Sequence, residues 1–235
     1  MTLRSFFADR KHRVPRLWSN QELMHIAPKC GGDVVNVSGW QDSDKAGRRY
    51  RDYFSGASSY TLTNYKPEAR GLQGLPGELF LDLEQPLDSS LSRKFDVVFN
   101  HTVLEHVFEI DTAFKNLCEM SRDLVILVVP FLQPMHADYG DYWRLSPMAL
   151  DRLFKKNGLT MVRATSNRDW FSSVYIVAVG TRDPAKWLPV LGAPLDFEDT
   201  DHAYDGLERL VGSRAVPNFA FAVARLLGRR FNKDD

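Results

Sequence analysis

Between Asp33 and Pro130 the chain repeats one arrangement five times: a short apolar run, then a cluster of polar residues. The runs are Asp33–Val37, Tyr60–Thr63, Leu79–Leu81, Phe95–Phe99 and Leu124–Val129. Runs this short, bounded by turn residues, read as buried strands. Ser38-Gly39-Trp40, Asn64, Asp82-Leu83, Asn100-His101-Thr102 and Pro130-Phe131 follow them in turn. Apolar residues at helical spacing predict helices over 44–54, 102–108, 111–121 and 147–157. The last has Ser146 as N-cap, Pro147 as its first residue and Asn157-Gly158 as its stop. Two more strands, Thr160–Ala164 and Val174–Val179, are joined by a link without a helical pattern, which suits an antiparallel pair.

The expected fold is therefore α/β: a Rossmann-like, doubly wound sheet of seven strands, mostly parallel, with an antiparallel last strand and flanking helices. Three regions follow: a basic helical segment at 1–32, the sheet domain at 33–183, and an extension at 184–235. In the extension, 184–205 reads as irregular and acidic. Residues 217–231 read as an amphipathic helix with Arg225, Arg229 and Arg230 on its polar side. Such a helix suits docking on its own domain, a homodimer contact, or a peripheral contact with an anionic membrane surface.

Composition narrows the class. The 30 basic and 30 acidic residues cancel, which gives no global pull toward nucleic acid. The longest apolar run, Leu124–Leu132, is too short to span a bilayer and is broken by Pro130. Cys30 and Cys118 are the only cysteines, too few for a disulfide framework or a zinc knuckle. Inert thiols in a reducing compartment are the simplest reading, and a cytoplasmic protein is expected.

In an open parallel sheet, ligands bind outside the carboxyl ends of the strands. The polar clusters listed above stand at those ends. The segment 95–107, Phe-Asp-Val-Val-Phe-Asn-His-Thr-Val-Leu-Glu-His-Val, resembles the fourth-strand region of class I S-adenosylmethionine-dependent methyltransferases. Val128-Val-Pro-Phe131 followed by Gly140-Asp-Tyr-Trp-Arg-Leu-Ser-Pro147 is similar to a bacterial subgroup associated with glycan or secondary-metabolite pathways. The resemblance spans roughly Gly31 to Gly180. It implies an S-adenosylmethionine cofactor and a small-molecule or glycan acceptor.

Carried over residue by residue, the resemblance places the cofactor's methionine end against Asn36, Ser38, Gly39 and Trp40. Ser38 and Trp40 stand where the family has glycines that admit the ligand to the backbone. Asn64 stands where an acid usually accepts from the ribose hydroxyls. Asp82 and Leu83 match the adenine-reading pair, and Asn100 and His101 border cofactor and acceptor. Asn64 and Asp82 could equally be turn residues.

On the acceptor side, Tyr139, Tyr142 and Arg144 form an aromatic and cationic wall. Deprotonating a hydroxyl calls for a base near neutrality. The candidates are His136, then His106, then Asp141, with a structural histidine the alternative for His106. His136, Asp138 and Asp141 are too loosely spaced to define a metal site, and none is assigned. Two other readings stay open. One is a dinucleotide enzyme, disfavoured by the missing Gly-x-Gly-x-x-Gly. The other is a methyltransferase fold retained as a binding or assembly subunit, which Ser38, Trp40 and Asn64 favour.

Overall fold

A computed structural model describes residues 13–67, 71–136, 139–167 and 173–192, all within one compact unit, Asp9–Leu195. Its helices and strands, in chain order, are α1 (Arg13–Ile26), β1 (Gly32–Val37), β2 (Ala57–Asn64), β3 (Leu79–Phe80), β4 (Phe95–His101), α2 (Ile110–Met120), β5 (Ser121–Leu132), α3 (Pro147–Lys156), β6 (Thr160–Ser166), β7 (Val174–Thr181) and α4 (Pro184–Leu191).

The strands form one sheet in the order β3-β2-β1-β4-β5-β7-β6. β1 to β5 pair in parallel, and β7 runs antiparallel to both its neighbours. The expected seven-stranded, mostly parallel sheet is present. Chain order reverses between β1 and β4, so the switch point of the sheet lies there, at the tips Val37 and Asn100.

Strand alternation divides the core between two faces. One face carries Val34, Val97, Phe99, Ile126, Val128 and Val177, packed with Leu23 and Ile26 of α1 and with Trp187 and Leu191 of α4. The other is covered by α2 and α3, whose Phe114 and Phe154 rings meet edge to face at 5.0 Å. α3 begins as its sequence dictates: Ser146 Oγ accepts from the Ala149 N–H (3.2 Å), and Pro147 occupies the first turn. Gly180 of β7 faces the Phe154 ring so closely that a Cβ would collide with it.

Three predicted elements differ. Residues 44–54 form no α-helix; a 3-10 turn spans Tyr50–Tyr53, and Ser43 bridges Arg49. The acids explain this. Asp44 Oδ1 accepts from the N–H groups of Ala46 and Arg48, and Asp42 Oδ2 accepts from Arg51. Side chains that cap local turns in this way take the backbone donors a helix would need. Residues 102–108 hold only a 3-10 turn, Leu104–His106. Thr102 sits at φ 51°, tied to the Val128 carbonyl at 2.7 Å. Glu84 accepts from the N–H groups of Phe108 and Glu109, so the helix starts afterwards, at Ile110. Finally, Pro184–Leu191, expected to be irregular, is helical: Asp183 caps it by accepting from the Lys186 N–H. The predicted helix over 217–231 lies outside the described residues.

Candidate functional site

At the switch point the predicted cofactor residues form a tightly bonded floor. Asn36 is buried; its Nδ2 donates to Asp42 Oδ1 (2.8 Å) and its Oδ1 has no hydrogen-bond partner among the described residues. Asn100 mirrors it across β1 and β4, donating to the Val37 carbonyl (3.0 Å) and leaving its own Oδ1 without a partner among the described residues. The loop above runs through Ser38 and Trp40 at φ 55° and 50°. Ser38 and Gly39 both donate to Thr63, to its hydroxyl and its carbonyl. Gly39 lies against the Asn36 amide with no space for a Cβ. The single glycine retained in the loop is thus needed by the loop's own packing.

Toward β2 and β3, Asn64 is saturated. Its Oδ1 accepts from Trp40 N–H (2.7 Å), and its Nδ2 donates to Trp40 O (2.9 Å) and Glu78 Oε1 (2.5 Å). Asp82 Oδ1 accepts from the Glu84 N–H, as a turn residue does. The Leu83 side chain is buried, and its carbonyl accepts from Asn116.

His101 points into the core. Its Nε2 lies 3.0 Å from Ser19 Oγ and its Nδ1 3.2 Å from Thr102 Oγ1, while Arg16 of α1 donates to the same Thr102 hydroxyl. Burial, then the Arg16 charge, holds its pKa well below the usual imidazole value. α1 therefore closes over the tip of β4, which the sequence pattern did not indicate.

A second cluster stands beyond the tips of β4 and β5. His106 and His136 meet edge to face, with ring centroids 4.9 Å apart and planes at 82°. The His106 Nδ1 is 2.6 Å from the Gly140 carbonyl, so that nitrogen carries the proton and donates. The main-chain N–H of His136 donates to Asp141 Oδ2 (2.8 Å), and its Nδ1 lies 3.4 Å from the same oxygen. Asp141 is gripped by Arg144 at both oxygens, 2.5 and 2.7 Å. Those bonds hold its pKa down at about 2. Tyr139 lies 5.8 Å from the His106 ring, and Tyr142 stacks edge-on against Phe108 at 5.3 Å. Tyr139, Tyr142 and Phe108 keep much of their surface exposed and form an aromatic rim. Asp138 lies outside the described residues.

The sequence reading missed Glu105. Its side chain is buried beside His106, with Oε1 3.7 Å from Nε2 and Oε2 without a hydrogen-bond partner among the described residues. Burial pushes its pKa up to about 7, partly offset by His106. The residue was visible within the segment 95–107. Its burial beside His106 belongs to the 3-10 turn Leu104–His106 and to the loop packed over it, where the Tyr142 N–H donates to the Glu105 carbonyl, and local spacing does not mark it.

No protein-family model matches the chain, nor does any curated protein. Solved structures do share its architecture. The CurJ carbon methyltransferase is 12% identical at a TM-score of 0.50, over 76% of this chain and 57% of that one. BH2331 of Bacillus halodurans, assigned as a methyltransferase, is 9% identical at 0.51, over 69% and 97%. The mitomycin 7-O-methyltransferase MmcR is 16% identical at 0.51, over 72% and 54%. The chain has the class I methyltransferase fold. It spans little more than half of CurJ and of MmcR. Within the methyltransferase fold, the strand tips just described are the place where a ligand meets the sheet.

Proposed function

We propose that the protein is an S-adenosylmethionine-dependent methyltransferase that acts on a hydroxyl of a small molecule or glycan. The observation that carries the reading is the paired imidazoles of His106 and His136, set beyond β4 and β5 and braced by Asp141 and Arg144. It is supported by the fold and by the sequence resemblance around both strands.

The floor of the switch point fits the methionine end of the cofactor. Asn36 and Asn100 each present a buried amide oxygen without a partner among the described residues, and such acceptors suit an ammonium. Asp82 would take the adenine amine through the carboxylate oxygen not used by Glu84. The ribose end is built differently from the family pattern, because Asn64 already serves Trp40. When bound, the cofactor would supply an electrophilic methyl group. The chain's own contribution is alignment and proton removal. Tyr139 and Tyr142 would flank the acceptor, as aromatic faces do for sugars and planar rings. An imidazole of the pair would take the hydroxyl proton. Asp141, kept ionised by Arg144, would orient His136. A cytoplasmic setting fits the two cysteines, both free and buried.

Calorimetric titration with S-adenosylhomocysteine, with NAD as control, tests the proposal. Saturable binding of the first alone is the expected result. A second reading, a non-catalytic binding subunit, is favoured by the saturated Asn64–Trp40 contact. Absence of binding to either ligand would establish that reading over the enzyme.

A further inference from the structure

We propose that Glu105, His106 and His136 form a binding site for a divalent first-row transition cation, with zinc as the type case. One carboxylate oxygen and one nitrogen from each imidazole lie within 4.8 Å of one another. Tetrahedral zinc at bonds of ~2.0–2.1 Å spaces its ligands about 3.4 Å apart, so side-chain rotations closing the set by about 1.4 Å complete it.

Three features single this cluster out. First, His106 is already set as a ligand. The Gly140 carbonyl takes its Nδ1 proton, which leaves the Nε2 lone pair directed toward the Glu105 side. An imidazole held at one nitrogen by a carbonyl or carboxylate is the usual outer support of a metal ligand. His136 is held by two neighbours: Asp141, fixed by Arg144, accepts its main-chain N–H, and the Gln133 side-chain amide lies 2.9 Å from its Nδ1. Second, Glu105 is 3% exposed, and its Oε2 has no hydrogen bond among the described residues. A buried carboxylate oxygen without a hydrogen bond is costly, and a bound cation is one way to satisfy it. Arg144 does not fill that role, because its guanidinium is bidentate on Asp141. Third, the donor set is selective. Two nitrogens and one oxygen suit zinc or iron(II), whereas magnesium and calcium seek oxygen cages. Three protein ligands leave one position open, as in metal sites that do chemistry.

The purpose of the site rests on the O-methylation reading: a cation beside Tyr139 would acidify the acceptor hydroxyl that otherwise needs an imidazole base. Its existence does not depend on that reading.

The test uses the full chain, stripped with a chelator and dialysed. Zinc is titrated against a chromophoric competitor, and cobalt(II) is loaded in parallel for visible spectroscopy. One zinc per chain, retained through desalting, and ligand-field bands typical of four- or five-coordinate cobalt are expected. Glu105→Gln and His136→Ala should each weaken zinc binding by ~10-fold or more and abolish those bands. Retention no better than that of the two variants, or no retained equivalent, overturns the site. Should Glu105→Gln fail to fold, His136→Ala decides, since that ring is partly exposed. Metal retained without S-adenosylhomocysteine binding would leave the site standing and remove the methyl-transfer reading. Cofactor binding without metal would do the reverse.

Discussion

The Asn64 side chain clasps the main chain of Trp40 at both polar atoms, accepting from its N–H and donating to its carbonyl. The same amide donates to Glu78, whose carboxylate also accepts from the N–H groups of Gln73 and Leu75. One side chain thus joins the β1 loop to the β3 approach.

Asn64→Ala would remove the hydrogen bonds that Asn64 makes to the two main-chain groups of Trp40 and one of the two donors to Glu78 Oε1. A loss of about 1–3 kcal/mol is expected in urea unfolding. Asn64→Asp, which restores the acid typical of the resembled family, should also destabilise, because it sets a second carboxylate against Glu78. A stable Asn64→Asp protein would show that the clasp does not hold the loop.

Arg144 and Asp141 form a bidentate pair in which the acid is only 2% exposed. Removing one partner strands a buried charge, whereas removing both does not. Arg144→Met alone should lose about 3 kcal/mol. Adding Asp141→Asn to it should recover part of that loss. A double-mutant cycle by chemical denaturation reads the coupling, and strict additivity would contradict the pairing.

His101 gives the protein an acid-sensitive interior. Its folded pKa is depressed by burial and by Arg16, against an ordinary value of 6.5. Above 6.5 both folded and unfolded forms are neutral, so the full contribution to stability is present. As pH falls below 6.5 the unfolded chain binds a proton that the native ring refuses, and stability is lost. The slope approaches about 1.4 kcal/mol per pH unit for one group. His101→Gln should flatten the stability profile between pH 6.5 and 5. An unchanged profile would place the acid sensitivity elsewhere.

Gly180 has the Phe154 ring where a side chain would begin. Gly180→Ala should lose about 1–3 kcal/mol by overpacking. Phe154→Leu in that background should restore part of it, read as the shift in the urea midpoint. No rescue would mean that the cost arises in the backbone of β7.

The strands were legible because burial on both faces writes them as short apolar runs, as in β7, whose eight residues are all buried. α3 was legible because Ser146, Pro147 and Asn157-Gly158 punctuate it. The segment 44–54 was not, because Tyr50, Tyr53 and Phe54 are spaced like one helical face while Asp42 and Asp44 tie the backbone into turns. At the site, His106, His136, Asp141 and Arg144 were named from sequence and lie together. Glu105 and the Ser19–His101 contact depend on a 3-10 turn and on the docking of α1, long-range outcomes that local periodicity does not encode.

β7 lies between β5 and β6, although it is the last of the seven to be made. On the ribosome, β5 therefore exposes an unpaired apolar edge until synthesis has passed Thr181. Nascent chains that stall earlier would present a sticky template to one another. Any expression strategy that truncates the gene before that codon would trade a shorter polypeptide for inclusion bodies.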